Sequence, residues 1–215
     1  MTATYLAMVE LAFPSGRPQP ALFLMCAILP WTWFIAATGE GGRSLVQNGN
    51  VLKSAAVPYV LFPTAEVTAS TVRYLFSLVL LALLMVYYGL APTPWLACLP
   101  LLMAVQYVLA LGISYWLSCA QVYIEDTSHA WQIVCRVWFF LSPSIYGIDQ
   151  IPARFHTLYL LNPFAALFTS YRNILIHGSA PEWPYLATAL GGAALICVSG
   201  HFLLRRSQGT VPLHL

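Results

Sequence analysis

An all-α fold that threads repeatedly through a membrane is what composition, run length and one broken run predict for this chain. Hydrophobic residues fill 60% of its 215 positions and charged residues only 7%, whereas a soluble domain carries charge on roughly a quarter of its residues. So few charges leave lipid as the solvent for much of the surface. The apolar residues fall in runs close to the ~20 residues that a spanning helix needs, separated by turns of Pro, Gly and polar residues. One run stops at Ser142-Pro143-Ser144 and resumes beyond Asn162-Pro163, with Asp149 and Arg154 between. Non-helical backbone at membrane depth is tolerated only where protein or a water-filled path covers it.

The first stretch, 2–13, is apolar but reaches only about 20 Å at ~1.5 Å per residue, so 1–20 reads as the remnant of a span followed by a Pro-rich external loop. Residues 21–38 form the first full span, interrupted by Pro30 and flanked by Trp31, Trp33 and Phe34. Residues 39–58 are polar, and Leu45, Val46, Val51 and Leu52 are spaced for a short amphipathic helix or turn. The next span, 64–88, holds Glu66, Thr68, Ser70, Thr71 and Arg73 in its first half and is almost purely aliphatic in its second. The span 95–120 carries Gln106, Gly112, Ser114 and Ser118 as small or polar interior positions. After a polar turn with Glu125 and Asp126, a helix from 130 runs into the break, so 21–147 holds most of the spans. Residues 148–183 form the broken region, read as two short re-entrant helices on the outer face, with Pro163 preset for a first helical turn; the alternative is an amphipathic hairpin lying on the surface. Residues 184–215 supply the last span and a polar tail, for about five full spans in one transmembrane domain covering 1–215.

Orientation follows from the basic residues. With 39–58 and the C-terminus in the cytoplasm, that side holds Arg43, Lys53, Arg205 and Arg206, and the other side keeps Arg17, Arg154 and Arg172, as the excess of positive charge inside demands. The net charge of +2 does not point to nucleic acid, and the cysteines, 26, 98, 119, 135 and 197, stand singly in apolar runs without a zinc-type spacing. The chain contains no G-x-x-x-x-G-K-[ST] sequence, so it has no P-loop for ATP.

Several side chains admit two readings. Glu66 and Arg73 fall near one helix face, where they pair with each other or with Arg136, a structural anchor that lowers the cost of a charge in lipid. Glu125, Asp126 and His129 suggest acid–base chemistry on lipid-linked sugars, a metal or, more simply, acids capping the next helix. Trp31, Trp33, Phe34, Trp138, Phe139, Phe140 and Tyr146 form either an interfacial belt or aromatic faces on which sugar rings slide along a conduit.

Taken together, Leu29-Pro30-Trp31-Thr32-Trp33-Phe34, residues 44–53 and 57–63, Tyr123-Ile124-Glu125-Asp126, residues 138–146, Leu160-Leu161-Asn162-Pro163 and Tyr171-Arg172 resemble, in order and spacing, the membrane subunit of ABC-2-type exporters. The similarity, from about residue 20 onward, is to the polysaccharide branch that includes O-antigen, capsule and teichoic-acid permeases. Members of that family begin with a cytoplasmic amphipathic helix and a complete first span, in whose place only 2–13 stands here. The resemblance implies an inner-membrane permease without a cofactor of its own, working as two copies with two ATP-binding ATPase subunits and moving a lipid-linked glycan through surrounding membrane lipid. It further implies that Ser44, Leu45, Asn48, Asn50, Leu52 and Lys53 couple to the ATPase. Phe139, Phe140, Pro143, Tyr146, Asn162 and Pro163 would build the conduit or a re-entrant gate, each copy supplying half of it because one copy cannot shield the irregular backbone. A drug or small-lipid exporter with the same frame is the alternative.

Overall fold

The computed structural model describes residues 19–54, 57–145, 159 and 161–207. Within them the regular structure is helical: α1 (Pro20–Gln47), α2 (Gly49–Ser54), α3 (Leu61–Tyr87), α4 (Leu99–Tyr123), α5 (Thr127–Leu141), α6 (Pro163–Leu175) and α7 (Trp183–Arg206), with a 3-10 turn, Pro94–Cys98, leading into α4. Four helices, α1, α3, α4 with its lead-in turn, and α7, are long and apolar enough to cross a membrane. They correspond to the spans expected at 21–38, 64–88, 95–120 and 185–204. The remaining expected span is represented by α5, which is 15 residues long and stops at the break. The remnant at 2–13, the segment 148–158 and the tail from 208 lie outside the described residues.

Short turns make successive long helices antiparallel, so α2, the turn before α5 and the end of α7 share one side, called here the α2 side. The start of α1, the end of α5 and the start of α6 share the opposite side, where Arg172 of α6 meets Phe23 of α1.

Two features of α1 depart from expectation. It does not end at Thr38 but runs to Gln47, because Gly41 and Gly42 serve packing instead of a turn. A Cβ at Gly41 would lie 2.6 Å from the Ser114 Oγ of α4, and one at Gly42 would lie 3.0 Å from the Leu117 Cβ. Missing side chains let the two helices touch. Nor does Pro30 interrupt the helix, although its missing N–H leaves the Cys26 carbonyl one turn earlier without the usual donor; α4 ties this turn down, the buried Gln106 Nε2 donating to the Pro30 carbonyl at 2.6 Å. The polar interior positions expected in α4 are all buried. Gly112 of α4 meets α7 so closely that a Cβ there would lie 2.6 Å from the backbone N of Cys197.

The main apolar cluster gathers α1, α3, α4, α5, α6 and α7. A second, smaller cluster on the α2 side joins Leu45, Leu52 and Tyr59 to Tyr115 and Cys119 of α4 and Leu204 of α7. Facing membrane or partner, Phe76, Val79, Leu83 and Val86 of α3 and Leu195, Val198 and Phe202 of α7 are exposed, as expected of helices whose outer solvent is hydrocarbon.

Candidate functional site

Among the described residues, the two edges of the break between α5 and α6 are tied together by hydrogen bonds within the chain. α5 ends at Leu141, and Ser142 turns the backbone to an extended conformation while its N–H still bonds the Trp138 carbonyl at 3.0 Å. The hydroxyls of Ser142 and Ser144 fold back onto the carbonyls of Trp138 and Phe139 at 2.8 and 2.9 Å. They thereby satisfy acceptors that a helix end leaves open. Across the break, Asn162 caps α6 by accepting from the Phe164 N–H at 3.0 Å, donates to Ser142 Oγ at 2.9 Å and accepts from Trp138 Nε1 at 3.2 Å. Pro163 then opens α6 as its first residue, where its fixed φ and missing N–H cost nothing.

Arg172 completes the closure. Only 4% exposed, its guanidinium donates from Nη1 to the Pro143 carbonyl at 2.7 Å and from Nη2 to the Ser144 carbonyl at 2.6 Å. Its Cζ lies 3.6 Å from the centre of the Phe23 ring, a distance at which a cation is drawn to the aromatic face. The irregular carbonyls of Pro143 and Ser144 are therefore paired from within, while the rest of the backbone that a second copy is expected to shield, 146–158, lies outside the described residues. Arg172 carried no assigned role in the sequence beyond family resemblance. The available signal was a lone Arg in the apolar run of 163–175, since a charge at such a place is a functional residue by default.

Of the expected gate residues, Pro143, Asn162 and Pro163 thus come together, and Tyr146 lies outside the described residues. The aromatics separate. Trp31 and Phe34 belong to neither belt nor conduit: both are buried, and each packs at 4.7 Å on Phe164 of α6. Trp33 is likewise buried, stacked at 4.5 Å on Tyr74 of α3. Edge-to-face and tilted packing of this kind adds to the area buried. Phe139 is half-buried at 5.5 Å from Trp31, whereas Phe140 is 67% exposed. A groove of about 400 Å³ beside the break is lined by Trp138, Leu141, Asn162 and Pro163 among others.

The expected coupling segment divides between two faces. Ser44, Leu45 and Leu52 are buried, the leucines within the α2-side cluster, so they anchor the segment and are not the outward knobs expected of them. Asn48 ends α1, its Nδ2 bonding the Ser44 carbonyl at 2.8 Å. Val46 and Val51, 46% and 44% exposed, face outward together with Asn50 and Lys53.

Arg73 pairs with Glu40 of α1 and not with Glu66. Ser70 supports the pair, donating to Glu40 at 2.9 Å and accepting from Arg73 at 2.7 Å. Asp126 occupies the N-cap position of α5 without a side-chain bond; Gln121 holds the turn instead, donating to the Glu125 carbonyl at 2.6 Å and accepting from Ser128 Oγ at 2.6 Å. Glu125, Asp126 and His129 are exposed. Among the described residues no three His, Cys, Asp or Glu side chains gather as metal ligands would.

Comparison with known proteins agrees with this architecture. Residues 2–176 match the family described as ABC-2 type transporter. The chain is 27% identical over 209 residues to an "O-antigen export system permease protein RfbA" of Myxococcus xanthus, covering 95% of this chain and 80% of that relative. Two proteins of the same name from Klebsiella pneumoniae are 23% identical over 184 residues, 85% of this chain and 71% of theirs, and 25% identical over 162 residues, 75% and 62%. A polytopic helical chain matched over most of its length in this way belongs to the ABC-2 type transporter membrane family.

Proposed function

We propose that the chain is the membrane-spanning subunit of an ABC exporter that carries a lipid-linked polysaccharide of the O-antigen type across the bacterial inner membrane. The observation that carries this reading is similarity to O-antigen export permeases along 95% of the chain. ATP is bound and hydrolysed on a separate ATPase subunit, and this chain makes and breaks no bond. Two copies face one another to form the conduit, with the α2 side in the cytoplasm, where Arg43, Lys53, Arg205 and Arg206 gather, and with the C-terminus there as well. The ATPase docks on the outward face of the coupling segment, at Val46, Asn50, Val51 and Lys53. Exposed Phe140 presents an aromatic face to passing sugar rings, weak enough per contact for a polymer to slide.

Expression with its ATPase in a strain that makes the glycan but cannot export it tests the reading. Glycan appearing on the cell surface, and only while the ATPase can hydrolyse ATP, is the expected result. A correctly inserted pair that leaves all glycan inside the cell would show that the cargo is something else.

A further inference from the structure

Glu66, Ser70, Arg73 and Ser77 of α3 follow one another at intervals of four, three and four residues, so they line up on one face of the helix. That line stays polar for ~16 Å at ~1.5 Å per residue. It also lies deep. A stretch of ~20 residues crosses the hydrocarbon core, and whichever such stretch of α3 is taken, from 61–80 to 68–87, Arg73 and Ser77 lie inside it. Beside them α1 presents Glu40, which pairs with Arg73 through and beside Ser70. It also presents the exposed Thr32, which falls inside every such stretch of α1, from 20–39 to 28–47.

The side chains of Arg73 and Glu40 are 57% and 44% exposed, so the described residues do not enclose the pair. Hydrocarbon is the wrong neighbour for it, because ionised side chains inside a span turn to a bundle interior or a water-filled cavity. α3 has a separate face for lipid, where Phe76, Val79, Leu83 and Val86 are exposed. A cavity of about 120 Å³ lies on the polar face, lined by Thr32, Trp33, Ser70, Arg73, Tyr74 and Ser77 among others. Water fills ~30 Å³ per molecule in the liquid, so several waters fit. Trp33 is 4% exposed and lines this cavity, and its Nε1 finds no acceptor among the described residues. A buried donor left unmet is costly, and water in the cavity supplies the acceptor. A dry partner surface would instead strip water from an ion pair that already neutralises itself, a cost without a return.

We propose that the α1–α3 face, with Thr32, Glu40, Arg73 and Ser77 along it, is one wall of a water-filled path through the membrane. Identifying that path with the route of the cargo rests on the reading of the protein as an exporter; the presence of water does not.

The test is the reactivity of single cysteines toward a charged methanethiosulfonate that does not enter lipid. The full chain, cleared of its own cysteines, is assembled with its ATPase in nanodiscs. A thiol reacts as the thiolate, which forms in water and is suppressed in apolar surroundings. Thr32→Cys and Ser77→Cys should therefore react about tenfold faster or more than Val79→Cys and Leu83→Cys on the lipid face. Arg73→Gln leaves Glu40 unpaired. In that background Ser77→Cys should react about threefold faster with a cationic reagent and slower with an anionic one, the effect of one unit charge several ångströms away through water. Reaction at Thr32→Cys and Ser77→Cys as slow as at the lipid-face positions would overturn the proposal. So would a disulfide joining Thr32→Cys of two copies, which puts protein where water is proposed. Failure of the export reading looks different: the thiols would react as expected while the wild-type chain and its ATPase moved no glycan to the surface.

Discussion

Arg172 ties the two sides of the helix break by donating to consecutive carbonyls while lying on the Phe23 ring. Hydrogen bonds from a charged donor are worth about 1.5–3 kcal/mol each, and the carbonyls of Pro143 and Ser144 have no helix to return to. Arg172→Met should therefore lower stability by on the order of 3 kcal/mol, read as a fall in the thermal unfolding midpoint in detergent. An ammonium cannot fork across two carbonyls and stack as a guanidinium does, so Arg172→Lys should recover less than half of that fall. Asn162→Ala removes a helix cap, worth about 1 kcal/mol, and also strands Trp138 Nε1, while Ser142 Oγ keeps its bond to the Trp138 carbonyl. Its expected signature is a smaller fall in the midpoint with increased protease cleavage near the break. An unchanged midpoint in both Arg172 variants would mean that the break is held by other contacts.

The coupling segment, the end of α1 and the short α2, turns on which face each of its residues occupies. Val46→Asp and Val51→Asp place a charge on the outward face without disturbing the cluster around Leu45 and Leu52. They should leave the chain folded and uncouple ATP hydrolysis from export in a reconstituted pair. Leu45→Asp buries a charge among Tyr115, Cys119 and Leu204, and its expected result is loss of folded protein, because an unpaired buried charge is not tolerated. Between α4 and α7 the backbones are in contact at Gly112, so Gly112→Val should destabilise by about 1–3 kcal/mol, the usual cost of overpacking, checked by the same melting measurement. These elements also show what the sequence makes legible. The spans and the polar interior of α4 follow from run length and the isolation of polar residues in apolar surroundings. The end of α1 does not, because glycine reads as a turn in one dimension and as a contact surface in three. Likewise, spacing announces that Leu45, Val46, Val51 and Leu52 form an amphipathic piece, but not which pair faces inward; that is decided by Leu204, at the far end of the chain. The partner of Arg73 was hidden for the same reason, since Glu40 lies on another helix.

At the scale of the molecule, α1, α3, α4 and α7 form a frame closed by shared apolar contacts, and the shorter α5 and α6 lean on it around the aromatic cluster of Trp31, Phe34 and Phe164. The proposed orientation has a direct test. Single reporter cysteines at Lys53 and Ser207, placed in a chain cleared of its own cysteines, should both be labelled from the cytoplasmic side and neither from outside. Labelling of the two from opposite sides would break the antiparallel order of the helices and the positive-inside assignment together.

The unbroken course of α1 bears on how force could travel. At ~1.5 Å per residue its 28 residues make a rod of ~42 Å, with Phe23 beneath Arg172 near one end and Leu45 against α7 near the other. A push received at the coupling segment thus reaches the opposite face through a single shaft, stiffened at Pro30, its weakest link, by Gln106. Gln106→Leu removes that brace alone. If the shaft transmits the stroke, the variant should hydrolyse ATP at the normal rate and export less glycan per ATP, and an unaltered ratio would assign the stroke to another helix.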